Sequence, residues 1–250
     1  MDIEPFRCYT RWHAAANARR YRAPAAPWRL VRVHPADVEA YTGALPLNYG
    51  LGRVRGGDWD AESERSGIRD TSLYRGLRER FVDGVAWADT AHYERVAERF
   101  ADGDRVRGYE TLDAFRETRL AYLDGLYESI ATDGYRANAA VADESGAAAA
   151  DTGHEPADDA NAFETAYASN LEPLVVVARD GEVVWTEGYH RFAIADVLGL
   201  DAIPVQVVCR HERWQRVRDA VATEGIESVA LPAGVDPTHP DLVDVRDDEP

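Results

Sequence analysis

Apolar positions along this chain change their period several times, and each change marks an element. The stretch "TRWHAAANARRYRA" is alanine- and arginine-rich and predicts a helix that Pro24 and Pro27 close. Leu30, Val31 and Val33 predict a short strand, after which Pro35 turns the chain into a short helix over residues 36–41. "NYGLGRVRGGDWD" predicts an extended, glycine-punctuated segment ending in a turn that carries Asp58, Trp59 and Asp60. Leu73, Leu77 and Phe81, then Tyr93, Val96 and Phe100, recur at helical spacing. They predict two helices separated by "DGVAWADT", with Asp89 or Thr90 capping the second. "TLDAFRETRLAYLDGLYESIATDGY" carries the strongest helical stripe, through Leu112, Phe115, Leu120, Leu123, Leu126 and Ile130, and Gly134 stops it.

Residues 141–161 are small and acidic and predict a mobile loop, because they cannot bury enough apolar surface to offset the entropy of ordering. Apolar order returns with "EPLVVVARDGEVVWTEG", a β-hairpin turning at Arg179-Asp180-Gly181. "HRFAIADVLGL" predicts a helix, "DAIPVQVVCR" a strand and "HERWQRVRDAVATEG" a last helix. Beyond Val229 the proline- and aspartate-rich tail predicts irregular structure. No internal repeat is visible.

With 250 residues, 45% of them hydrophobic, the chain can bury a sizeable core. The formal charge is −17, and all 28 basic residues are arginine. This pairing resembles haloarchaeal proteins adapted to brine, where the Debye length shrinks to about 3 Å at 1 M salt and self-repulsion is screened. Such a charge disfavours DNA as a partner at low salt. Cys8 and Cys209 match no metal spacing, and the apolar flanks of Cys209 predict a buried, inert thiol. No apolar run is long enough to span a membrane and no secretory leader is seen at the N-terminus, so a soluble cytoplasmic protein is expected.

Three clusters carry candidate chemistry. Glu187-Gly188-Tyr189-His190-Arg191 stands between an apolar strand and an apolar helix. A glycine turn there directs backbone N–H groups and the helix dipole at an anion, and His190 and Arg191 add charge-assisted donors. The alternative is an ordinary turn with solvent-facing polar residues. Glu187 could orient Arg191, bind Mg²⁺ or pair with a surface cation. In "RVRGGDWD" the two glycines allow close backbone approach, Asp58 and Asp60 are candidate Mg²⁺ ligands, and Asp58 is a candidate general base. The alternative is a glycine turn with a capping aspartate and a buried Trp59. Arg210 and His211 end a strand and could meet a ligand there, or could cap the following helix. His13, His34, His92, His154 and His239 show no ligand spacing.

"DGEVVWTEGYHRFAIADVLGLDAIPVQVV" resembles the core of the ParB/sulfiredoxin-like superfamily: a strand, a G-x-x-R-type turn, an R-x-x-A helix and an "IPV.V" strand. "LVRVHPADVE" is similar to that fold's opening strand, and "LYESIATDGY" to the helix before its hairpin. The resemblance covers roughly residues 28–44 and 112–212 and leaves 50–104 outside. It implies an α/β (α+β) mixed-sheet domain over 28–228, with an N-terminal helical arm at 1–27. A helical insertion at about 61–110, the loop at 141–161 and an acidic irregular tail at 229–250 complete the expected organisation.

The resemblance also implies nucleotide or phosphate binding, with ATP, ADP or CTP and Mg²⁺ as cofactors. In this reading Gly188, Tyr189, His190, Arg191, Arg210 and His211 would bind, Glu187 and His190 would be catalytic, and Asp58, which lies outside the resemblance, joins them as a catalytic candidate. Sulfiredoxins carry cysteine where this chain has Tyr189, which argues against sulfinate repair. Chromosome-partitioning members carry a helix-turn-helix after the core, whereas one helix and an acidic tail follow here. Archaeal free-serine kinases come closest in the form of the Glu187–Arg191 turn. The expected function is therefore phosphoryl transfer to a small-molecule substrate, or NTP hydrolysis. The alternative is a non-catalytic nucleotide- or DNA-binding regulatory module, contacting its partner through the arginines of "ARRYR" and "RHERWQRVR".

Overall fold

Two strands explain why the middle of the C-terminal half reads as nearly unbroken apolar runs. β5 (Leu174–Val177) and β7 (Ile203–His211) are buried along their whole length, as strands covered on both faces must be. They run parallel to each other, while β6 (Val183–Glu187) pairs antiparallel to β5. The computed structural model describes residues 3–137 and 171–246, and the loop expected at 141–161 lies outside them. The described residues form a seven-stranded mixed sheet ordered β1-β7-β5-β6-β2-β4, with β3 also paired to β7. The remaining strands are β1 (Leu30–Val33), β2 (Ala40–Thr42), β3 (Arg53–Arg55) and β4 (Arg65–Gly67). Helices accompany this mixed sheet, and the chain has an α/β fold.

The chain divides into two compact units. The sheet unit comprises Asp2–Ser66, Pro173–Glu187 and Pro204–Pro250. Its longer helices are α1 (Ile3–Arg20) and, late in the chain, Glu212–Glu224. Phe6, Leu51, Val176, Trp185, Val205 and Trp214 are at most 1% exposed and make its core, each such side chain contributing about 1.5–3 kcal/mol. The hairpin turn depends on Gly181, whose φ is +93°; a Cβ there would fall 2.6 Å from the Trp214 ring.

The helical unit comprises Gly67–Glu172 and Gly188–Ile203. It contains α2 (Ser72–Phe81) and α3 (Ala91–Ala101), capped by the Thr71 and Thr90 hydroxyls as the pattern predicts for the second. The long helix expected after Thr111 forms as α4 (Leu112–Ala114), a π-helical turn at Phe115–Leu120 and α5 (Ala121–Asp133), and Gly134 ends it. α6 (Tyr189–Val197) completes the unit. Leu77, Phe115, Leu120, Leu123, Ala193 and Ile194 form one core cluster. No helix among the described residues is long and apolar enough to cross a membrane.

Two expectations are corrected. Residues 36–41 do not form a helix: Pro35–Asp37 is a 3₁₀ turn capped by the His34 ring, and Ala40–Thr42 is β2. Tyr41 pairs with Trp185 of β6, and β2 lies between β6 and β4, so pairing within the sheet outcompetes the weak local helix signal. The tail is not simply irregular either. Asp241 and Leu242 are fully buried, and Val243–Arg246 forms a short helix.

His92 couples the helical core to pH. Burial first, then the Arg107 and Arg119 charges, lower its pKa from 6.5 to about 4. Between those values the unfolded chain binds the extra proton, so stability rises with pH. The contribution is full above about pH 6.5 and declines by about 3 kcal/mol as pH falls to 4. His92→Phe should flatten this slope in urea melts across pH 4–7; an unchanged slope would assign it elsewhere.

Candidate functional site

β6 ends at Glu187 in the sheet unit, and the next residue opens the helical unit's α6. Gly188 takes φ 80° and ψ 34°, a left-handed conformation, and caps α6 with no side-chain bond. The first-turn N–H groups of a helix point out of its N-terminal end and, with the dipole, favour an anion.

The side chains of this turn divide. Tyr189 donates its hydroxyl to the Ile68 carbonyl at 2.6 Å and contacts the Thr71 hydroxyl. Burial is the main cause of its pKa being pushed up to about 12, so Tyr189 ties α6 to the chain entering α2. Arg191 donates to the Leu171 carbonyl at 2.7 Å and to Glu172 at 3.3 Å, and Tyr135 donates to the same Glu172 carboxylate. Its guanidinium thus clips the segment leading into β5.

His190 meets a residue that sequence reasoning missed. Arg119 Nη2 lies 3.1 Å from His190 Nδ1 and 3.2 Å from Nε2. The near-equal distances mean the guanidinium leans on the ring rather than on one nitrogen. Arg119 is 7% exposed, and its charge also sits 5.1 Å over the Tyr122 ring. It belongs to the π-helical turn, a feature frequent at functional sites. A signal existed: the apolar stripe steps by five from Phe115 to Leu120, the spacing of one π turn. Gly188, His190 and Arg119 thus bring a helix N-terminus, an imidazole and a buried cation together inside one unit.

The other expected residues lie in the sheet unit. Arg179, in the hairpin turn, donates to Asp60 from its backbone at 2.7 Å and its side chain at 2.5 Å, and to Asp58 at 2.9 Å. Burial opposes ionisation of Asp60, but the Arg179 bonds outweigh it and hold the carboxyl below its usual range. Both carboxylates expected to hold Mg²⁺ therefore already face a guanidinium. No three His, Cys, Asp or Glu side chains converge as a metal site among the described residues. His211 bonds the Gly57 carbonyl with one ring nitrogen and caps α7 (Glu212–Glu224) with the other, accepting from Arg213 N–H. This is the capping role that was the alternative to ligand contact. Arg210 is 3% exposed and forms a two-pronged pair with Asp241 at 2.6 and 2.8 Å, so its place is in a buried ion cluster. Glu187 adds its charge beside Tyr41, whose pKa is raised by burial first and by that carboxylate second.

Cys209 is fully buried and its thiol is pushed up to about 12, chiefly by burial. Among the arginines expected to make a basic face, Arg20 and Arg216 are exposed and both pair with Glu212, whereas Arg218 is buried against Asp244. No family model matches the chain, and neither a curated protein nor a solved structure matches it at a significant level.

Proposed function

We propose that the chain is a cytoplasmic nucleotide- or phosphate-binding protein of the ParB type, whose chemistry is phosphoryl transfer or NTP hydrolysis. The observation that carries this reading is the buried Arg119 set against His190 at the N-terminus of α6, behind left-handed Gly188. Phosphate oxygens would take the first-turn N–H groups, and Arg119 and His190 would supply charge-assisted donors. Arg191 supports the turn by holding Glu172 and need not touch the ligand. The burial of Arg218 and the shared Glu212 partner of Arg20 and Arg216 weigh against the DNA-binding alternative.

Calorimetric titration of ATP, ADP and CTP with Mg²⁺ in molar salt tests the reading. The wild type should bind at least one of them. His190→Ala and Arg119→Ala should each weaken that binding by about 1.5–3 kcal/mol, the scale of a hydrogen bond to a charged group. Phosphate release in the same solutions separates catalysis from binding alone. Absence of binding to all three, or equal binding by wild type and His190→Ala, would return the turn to a purely structural role.

A further inference from the structure

Arg53 is the anomalous cation of the sheet unit. It is 4% exposed, yet its Nε and Nη2 have no hydrogen-bond partner among the described residues. Elsewhere in the chain this same edge of the guanidinium receives a carboxylate: Arg69 bonds Asp196, Arg80 bonds Asp124 and Arg210 bonds Asp241. The chain holds 45 acidic residues against 28 basic ones, so carboxylates are not scarce. A buried charge without a counter-charge is costly, and such groups are normally paired. Burial is also the main cause of the lowered pKa of Arg53, which Arg55 lowers further.

The surroundings of Arg53 have a definite chemistry. It lines a cleft of about 260 Å³ together with Tyr9, Trp12, His13, Tyr49 and Arg55. Tyr9 and Tyr49 stand 5.3 Å apart, centroid to centroid. Trp12 is 65% exposed, an unusual position for so large an apolar surface. A second recess of about 560 Å³ shares Tyr9 and Trp12 and continues to Pro5 and Cys8. The lining therefore combines two guanidinium groups with aromatic and apolar side chains. Gly50 and Gly52 hold the chain before β3 close to its neighbours: the Gly52 carbonyl accepts from Asn17 of α1, and a Cβ at Gly50 would fall 2.6 Å from Thr10 N. The walls are thus braced by α1.

We propose that this cleft binds a small molecule that joins an oxyanion to a flat ring. The oxyanion supplies the counter-charge that Arg53 lacks, with Arg55 beside it, and the ring lies against Tyr9, Trp12 and Tyr49. Carboxylate and phosphate share this chemistry. The site lies wholly in the sheet unit and uses neither His190 nor Arg119, so it goes beyond the nucleotide reading of α6 and stands without it.

The test uses the full chain in molar salt, with indole-3-acetate as the carboxylate probe and adenosine 5′-monophosphate as the phosphate probe, read by calorimetry and melting temperature. At least one should bind saturably and raise the melting temperature; whichever binds more tightly identifies the oxyanion. Arg53→Met and Trp12→Ala should each weaken that binding by about ten- to a hundredfold, whereas His190→Ala should leave it intact. Without ligand, Arg53→Met should melt no lower than wild type, because it removes an uncompensated charge. If Arg53→Met does not fold, that expectation fails, and Trp12→Ala at an exposed position still decides the binding claim. Failure of both probes to bind, retention of binding in Trp12→Ala, or its loss in His190→Ala would overturn the proposal.

Discussion

Asp241→Asn should destabilise the sheet unit by about 3–5 kcal/mol, the scale on which a buried ion pair fails when one partner is removed. Three arginines converge on this fully buried side chain. Arg210 bonds it twice, Arg29 lies at 3.2 Å and Arg218 at 3.6 Å, and the Trp214 indole adds a fourth donor at 2.9 Å. Arg210 is 3% exposed and Arg218 fully buried, so neither can turn to water when the carboxylate goes. Asparagine keeps the shape but leaves their charges to Asp244 alone, which already pairs with Arg29 and Arg218. Against a typical domain stability of about 5–15 kcal/mol, this loss is a large fraction. Burial by itself would raise the Asp241 pKa, but Arg210, Arg218 and Trp214 outweigh it and hold the carboxyl well below the usual carboxylate range. In acid the unfolded chain therefore takes up this proton first. The cluster's contribution is complete above an ordinary carboxylate pKa of about 3.9 and is lost as pH falls through the lower folded value. Denaturant melts followed by tryptophan fluorescence at pH 7 and in acid measure both effects. A midpoint unchanged by Asp241→Asn would show that the arginines find other partners.

Arg191→Ala should cost about 3–5 kcal/mol in the helical unit while leaving nucleotide affinity per folded molecule nearly unchanged. The Arg191 side chain is 16% exposed and its partner Glu172 3%. Truncation leaves a buried carboxylate with the Tyr135 hydroxyl but without the facing guanidinium. The Tyr135 phenol, whose pKa burial drives strongly upward, stays neutral and donates a hydrogen bond, but it has no cationic form to replace the guanidinium. Arg191→Leu combined with Glu172→Leu should recover much of the loss, because removing both charges removes the desolvation penalty. Far-UV dichroism melts paired with calorimetry separate the two readings of this arginine. If stability holds while nucleotide binding collapses, Arg191 is the phosphate contact that the sequence pattern first suggested.

The same turn shows how far local sequence reaches. Gly188 between an apolar strand and an apolar helix marks a left-handed helix entry, because backbone sterics are local. The polar partners of that turn are not local. Arg119 lies 71 positions from His190 and arrives through a π turn inside a segment that reads as regular helix, with only the five-residue step from Phe115 to Leu120 as a sign. Glu172 claims Arg191 across 19 positions and Asp60 claims Arg179 across 119. Each such pairing turns a residue of catalytic type into a structural one.

Local pattern alone was enough for the mixed α/β class, the hairpin at Arg179–Gly181, the buried strands β5 and β7, the capped helices α2 and α3, and the inert Cys209. All of these follow from periodicity, turn chemistry and burial, which act over a few residues. Long-range contacts were needed to place residues 40–42 between β6 and β4, to bury Asp241 beneath three arginines, and to enclose Arg53 with no carboxylate partner among the described residues. All three depend on partners distant in sequence, and for the two charged cases the reason is electrostatic. In a chain with 45 acidic and 28 basic residues, nearly every charge has many partners of suitable sign. Which pair forms depends on distances that the fold alone sets, and the strength of that pair depends on how much water the fold excludes.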